Sequence, residues 1–494
     1  MALTLGLDVS TTATKAILVD EVGAVRGTGT SEYGYETPRP LWSEQDPDLW
    51  WTATGSAMRA ALAAAGVSGD QVRAIGLTGQ MHGAVLLDAA DRPLRPAILW
   101  NDQRTAAECE AIRSAVGAER LVEITGNDAI TGLTAPKLLW VRAHEPDVWS
   151  RVATVLLPKD YVRLQLTGTR ALDRADGSGT GLFDLAARNW SAAVLADLEL
   201  DPARFAPTFE GPEVTGTLTA TAAEKTGLRA GTPVVAGAGD QAANAVGVGA
   251  IDPGVVALSL GTSGVIFAAT DRPIVEPHGR VHAFCHAVPE RWHLMSVMLS
   301  AAGSLRWFRD ALAPGMGYGE LVAEAETVPP GSDGLFFLPY LTGERSPHPD
   351  PLARGAFIGL TVSHQRGHLV RAILEGVAFG LRDGLDLMLR AGMPFPAQIR
   401  ASGGGLASQL WRQILADVLG TEIAGVATTE GAAFGAALLT APAAGLTGSV
   451  SEAVDTIVRV APQAEPGTET TAYAELHALY RELYPAIAPL FPRM

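Results

Sequence analysis

The chain has 494 residues, 47% hydrophobic and 18% charged, a balance that excludes intrinsic disorder and leaves apolar material for two or more domains with large cores. Its formal net charge of −16 excludes nucleic acid or an anionic membrane as a partner bound through a broad basic face. The two cysteines, Cys109 and Cys285, lie far apart, which excludes a disulfide framework and fits a cytoplasmic protein, as do the lack of a signal-peptide pattern after Met1 and of any apolar run able to span a bilayer.

The first predicted element is a strand over 3–7, followed by the small-residue turn Ser10-Thr11-Thr12 and a second strand over 16–19. Such turns aim hydroxyls and backbone N–H groups at an anion, usually phosphate. Asp8, Thr11, Thr12 and Lys15 are therefore a candidate site for a phosphate with its cation, against the plainer reading of a β-turn with a surface lysine. An amphipathic helix over 49–65 and strands over 74–77, 84–87 and 154–157 follow. Between two of those strands, Gln80-Met81-His82-Gly83 combines hydrogen-bonding and apolar groups suited to a polyhydroxylated ligand. The competing reading of His82 is a satisfied core histidine. Trp42, Trp50 and Trp100 offer faces for a sugar or for the core.

Residues 202–212 read as a loop. The strand over 233–236 ends in a Gly-rich turn that presents Asp240, either as a carboxylate that takes a proton from a hydroxyl nucleophile or as an N-cap for a small-residue helix over 241–249. We place the main boundary near Gly249, giving domains 1–249 and 250–494. The segment Ala257 to Val265 then repeats the first hairpin: Thr262 falls on Thr11, Ser263 on Thr12 and Ser259 on Asp8. Two such turns point to a nucleotide gripped between duplicated domains, with the metal on the side that keeps the carboxylate. His278, His282 and His286 recur at four-residue spacing, but Pro277, Gly279 and Pro289 favour loop and strand over a zinc-binding helix. The clearest helix covers 366–390. A strand over 398–401 leads into Ser402-Gly403-Gly404-Gly405, where glycines admit close approach of a ligand to the start of a helix over 406–419. A small-residue helix over 430–439 and a loop over 462–468 complete the pattern. Strands followed by helices in both halves give an α/β class.

These segments together resemble the FGGY family of carbohydrate kinases, and within it the xylulokinase branch. The resemblance runs from Asp8–Lys15 through Trp42-Ser43-Glu44-Gln45-Asp46-Pro47, Gly79–Gly83, Trp100–Arg104, Thr134–Trp140 and Leu157–Tyr161 to Gly239-Asp240. It continues through Leu258–Gly264, His293–Leu299, Tyr340-Leu341-Thr342-Gly343-Glu344-Arg345-Ser346-Pro347-His348 and Gly403–Gly405. It implies two ribonuclease-H-like domains of the actin/hexokinase type with a cleft between them, and transfer of phosphate from ATP with Mg²⁺ to O5 of D-xylulose. Asp240 then matches the catalytic base, Met81, His82 and Gln241 the sugar contacts, and Asp8 the metal-side carboxylate. Thr11, Thr12, Gly261, Thr262 and Ser263 match the phosphate contacts, and Gly404, Gly405 and Gln409 the adenosine side. Ser10 stands where the family's turn usually has Gly, and Gln241 where xylulokinases often have Asn, one methylene shorter. A small-molecule sugar and ATP are the expected partners, and a homodimer is compatible with the reading. The rival classes are a kinase for another ketose or polyol, a silent sugar sensor, and an actin- or Hsp70-like ATPase; the last gives no reason for Gln80–Gly83 or for Asp240.

Overall fold

The computed structural model describes residues 2–427 and 430–494; Met1, the lead-in to the first predicted strand, lies outside them. Two seven-stranded mixed sheets organise the chain. In the first, strand Leu3–Val9 runs antiparallel to Ala13–Asp20 and parallel to Val72–Gly79. In the second, Val255–Leu260 runs antiparallel to Gly264–Thr270 and parallel to Gln398–Ser402. Each hairpin is continued by a further antiparallel strand, Val25–Glu32 in one sheet and Trp292–Met298 in the other. The repeat seen in the sequence is thus a repeat of sheet topology, and the α/β expectation holds.

Alternation explains how the first sheet is covered. Leu5, Leu7 and Val9 pack with Trp50, Ala57, Met58 and Ala61 of helix Pro47–Ala65. The opposite face carries Gly6 and Gly76, and there helix Gly431–Leu439 lies against the backbone. A Cβ on either glycine would stand 1.9 Å from the carbonyl oxygen of Ala433 or Ala436. This helix also crosses Asp240–Gly247 so closely that a Cβ on Gly435 would stand 1.7 Å from the Ala243 carbonyl oxygen. The small residues of both helices therefore clamp the two halves together. Ile17, Val246, Ala257, Phe267 and Phe434 share the resulting core.

Helix Arg366–Arg390 has its predicted bounds, and Ile373, Leu374, Val377, Leu381, Leu385 and Met388 are buried in the second core. Three local expectations change. The helix expected from 406 begins at Gln409, because Ser408 accepts a hydrogen bond from the Trp411 N–H as N-cap and Gly404–Ala407 forms a 3₁₀ turn. The expected loop over 462–468 opens within strand Val460–Ala464 at the sheet edge, where Pro462 lacks nothing the edge requires. The loop over 202–212 contains the turn Pro202–Arg204 and the short strand Thr208–Phe209. Strand Val85–Leu87 pairs with Thr154–Leu156, outside the large sheets. Both cysteines are buried and free, and no helix among the described residues is long and apolar enough to cross a membrane.

Candidate active site

Asp8 and Asp240 come from strands on either side of Val72–Gly79. Asp8 is in register with Thr78, and Thr78 with Ala238, two residues before Asp240. Both carboxylates are therefore delivered to the same end of the sheet, where α/β folds place their ligands. Burial raises Asp8 to about 6, offset in part by Lys15. Its Oδ1 is buried and makes no hydrogen bond, so it is an oxygen left free for a cation. Asp240 rises to about 7, first through burial and then through the like charge of Asp8. Gly239 is the N-cap of helix Asp240–Gly247, with no side-chain capping bond. Asp240 is the first helical residue and does not supply the N-cap.

Met81 and His82 stand beside this pair. A Cβ on Gly239 would meet Met81 Cγ at 2.8 Å, so Met81 is packed directly behind the turn that bears Asp240. His82 holds a left-handed backbone with φ of +66°, which is uncommon for a residue with a Cβ and marks a position fixed by its surroundings. Its carbonyl accepts from Thr134 Oγ1 at 3.1 Å and Lys137 Nζ at 2.9 Å. Its Nδ1 lies 2.7 Å from the Gly179 carbonyl oxygen. A carbonyl only accepts, so Nδ1 carries the proton and Nε2 is left as an acceptor. Burial, then Lys137, holds the ring well below its ordinary pKa and hence neutral. Gln241 adjoins Asp240 and lowers its pKa through hydrogen bonding.

Other predicted residues divide. Gln80, Thr11 and Trp100 form a scaffold: the Thr11 hydroxyl donates to Gln80 Oε1 at 3.2 Å and accepts from Trp100 Nε1 at 3.1 Å, while Gln80 Nε2 donates to Gln45 at 3.1 Å. Thr12 is exposed at the turn. Lys15 pairs with Glu430 at 2.5 Å, so its ammonium is engaged by the second half of the chain. Trp50 is core and donates to Gln45 Oε1 at 2.7 Å. Trp42 lies beneath Arg104, 3.6 Å from its ring centroid. His282 and His286 bond to Asn127 Oδ1 and the Ala250 carbonyl, each by a different ring nitrogen and to a different element.

In the second half of the chain a cavity of about 620 Å³ opens. It is lined by Gly261, Thr262, Gly404, Gly405 and Gln409, all predicted from sequence, together with Arg306, Tyr318 and Glu326, which were not. Ser263 stays in the hairpin turn, where its carbonyl accepts from the Gly261 N–H at 3.0 Å. A Cβ on Gly404 would meet nothing within 4 Å, so a larger side chain there projects into open space. Gly404→Val is expected to weaken ATP binding about tenfold or more, roughly 1.4 kcal/mol, with an unchanged melting temperature and sugar affinity; titration calorimetry of both ligands checks this.

Beneath the sugar side lies a fully buried ion cluster. Lys159 Nζ meets Asp160 Oδ1 at 2.8 Å, Asp176 Oδ2 at 3.1 Å and Asp173, while Arg163 Nη1 meets Asp160 at 2.7 Å. The three carboxylates converge closely enough to hold a cation, and Lys159 occupies that role. Arg163 also donates to the carbonyl of Ala236, on the segment leading to Asp240.

Comparison with known proteins decides the family. The N-terminal domain of the FGGY family of carbohydrate kinases matches residues 3–247, and its C-terminal domain matches 256–444. The chain belongs to the FGGY family of carbohydrate kinases. This FGGY kinase is 44% identical over 493 residues to the xylulose kinase of Escherichia coli strain K12, covering 98% of this chain and 99% of that one. The crystal structure of xylulose kinase from Rhodospirillum rubrum superposes with a TM-score of 0.93 at 35% identity over 99% of both chains. That of a gluconate kinase from Lactobacillus acidophilus gives 0.95 at 28% identity, over 100% of this chain and 99% of the other. The FGGY kinase fold, with its two actin/hexokinase-type halves, is therefore the fold of this chain.

Proposed function

We propose that this FGGY kinase transfers the γ-phosphoryl group of ATP, with Mg²⁺, to O5 of D-xylulose in the cytoplasm. The observation that carries the reading is the convergence of Asp8, Asp240, Met81 and His82 at one sheet end, in a chain whose second half holds a cavity lined by Gly261, Thr262, Gly404 and Gly405. The relatives' activity supplies the sugar. The residues fit the implied cofactor: Asp8 Oδ1 is a buried oxygen without a partner, and Gly404 leaves open space beside the cavity. Bound MgATP supplies an electrophilic phosphoryl group and neutralises its charge. Asp240 positions the O5 hydroxyl and takes its proton. His82 Nε2 accepts from a sugar hydroxyl, Met81 gives an apolar wall, and Gln241 adds an amide. Thr12, Thr262 and Ser263 offer hydroxyls at the two turns, and Gln409, which lines the cavity, would border the adenine.

A base works ionised, and Asp240 is held near 7. The value of kcat/KM for sugar is therefore expected to rise with pH through about 7. A pH–rate profile that stays flat between about pH 5.5 and 7.5 contradicts the base assignment.

A second reading, a kinase for another sugar, is favoured by Gln241 and by the likeness to a gluconate kinase. ADP release against D-xylulose, D-ribulose, xylitol, D-arabinitol and gluconate separates the two.

A further inference from the structure

The sugar recess contains one strong donor that the proposed reaction has not used. It is lined by His82, Trp100, Gly132 and His282 together with Arg345. Arg345 comes from the second half of the chain and reaches the first: a Cβ on Gly132 would stand 3.5 Å from its Nη2. The backbone that bears it is anchored on both sides to the end of strand Trp292–Met298. The Ser346 N–H donates to the Val297 carbonyl at 3.0 Å, and Glu344 Oε1 accepts from the Leu299 N–H at 2.9 Å and from the Arg345 N–H at 2.8 Å. Glu344 Oε1 is thus occupied by amides, while its Oε2 is buried without a partner. Among the described residues the Arg345 guanidinium makes no hydrogen bond or ion pair.

Its neighbours spend their donors elsewhere. Lys137 Nζ donates to the carbonyls of His82 and Gly132, at 2.9 and 2.6 Å. His282 Nδ1 is bonded to Asn127 at 2.9 Å, and His82 Nδ1 to Gly179. A half-buried guanidinium without a protein partner is open to a ligand. A planar fork of N–H groups fits two oxygens lying side by side in one plane.

On the proposed function, on which this inference rests, the sugar places O5 at Asp240, and Met81 then leads to the recess around His82. A ketose reaching past Met81 would then point its C2 carbonyl at that recess, which is small, about 10 Å³. D-Xylulose closes to a furanose through O5, so the ring form has no O5 hydroxyl to phosphorylate. Only the open chain carries both a free O5 hydroxyl and a C2 carbonyl. We propose that Arg345 is a specificity residue that reads the C2 carbonyl and an adjacent hydroxyl oxygen together, and so selects the open-chain ketose, the reactive form. It comes from the half opposite His82, so the same contact draws the two halves onto the sugar.

The test compares kcat/KM for D-xylulose with that for xylitol, which has a hydroxyl at C2 in place of the carbonyl, in the wild type, Arg345→Met and Arg345→Lys. The ratio within one preparation does not depend on the fraction folded. The expected result is a ratio that falls by about 10- to 100-fold in Arg345→Met, the loss of a charge-assisted bidentate contact, with partial recovery in Arg345→Lys. A ratio unchanged within about twofold overturns the inference while the proposed function stands, because a merely structural arginine would depress both sugars alike. Full recovery by lysine also overturns it, since a point charge would then suffice. A wild type that prefers xylitol overturns both readings.

Discussion

Asp240→Asn is expected to lower kcat on D-xylulose by about 10²–10⁴-fold, roughly 3–5 kcal/mol of barrier, with sugar affinity little changed. The sugar hydroxyl is a weak nucleophile, and its proton must leave as the bond to phosphorus forms. Asparagine keeps the size of the side chain and a hydrogen bond but cannot take the proton. A capping role would have predicted a different outcome, a loss of about 1 kcal/mol in stability with turnover intact. The structure gives the cap to Gly239, so the stability of the variant is expected to match the wild type. Steady-state kinetics with calorimetric sugar binding checks this, and near-wild-type kcat in a folded Asp240→Asn protein removes Asp240 from the chemistry.

Lys159→Met is expected to destabilise the first half by about 3–5 kcal/mol, the usual cost of stripping one partner from a buried ion cluster. Lys159 and its three carboxylate neighbours are fully buried, and without its charge Asp160, Asp173 and Asp176 face one another across a dry interior with only Arg163 to offset them. By contrast the pair Arg92–Asp88, whose arginine is largely exposed, should contribute little. Urea unfolding of Lys159→Met and Arg92→Met tests the contrast, and equal small losses would show that the buried cluster stabilises no more than a surface pair.

Much of the fold was legible because its signals are local. The duplicated hairpins are short apolar runs around small-residue turns, and helix Arg366–Arg390 repeats its apolar residues at helical spacing. What was misread depended on context. The proline at 462 suggested a loop, but an edge strand tolerates it because no neighbouring strand needs its N–H. The start of the helix after Gly405 depended on the Ser408 cap, which propensity alone does not distinguish from the turn before it. The small-residue character of 430–439 indicated close packing, yet nothing local told that its partners would be Gly6 and Gly76 on the opposite half.

The site was legible to the same depth. Asp8, Asp240, Met81, His82, Gly261, Thr262, Gly404 and Gly405 lie in motifs whose chemistry is written in adjacent residues. Arg306, Tyr318 and Glu326 sit on helices Ala302–Leu312 and Tyr318–Glu326, which carry no such motif. Only tertiary packing turns these residues toward the cavity. Lys15 shows the converse: its motif marked a phosphate contact, while the fold brings Glu430 to its ammonium.

The most direct test of the central claim is the position of the phosphate in the product. The purified protein is supplied with MgATP and D-xylulose, and the sugar phosphate is analysed by phosphorus–proton correlation NMR while ADP release is followed against the sugar panel. The expected result is Mg²⁺-dependent formation of D-xylulose 5-phosphate, with a higher kcat/KM for D-xylulose than for D-ribulose, xylitol, D-arabinitol or gluconate. Phosphate on any other oxygen, or a markedly higher kcat/KM for another sugar of the panel, would contradict it.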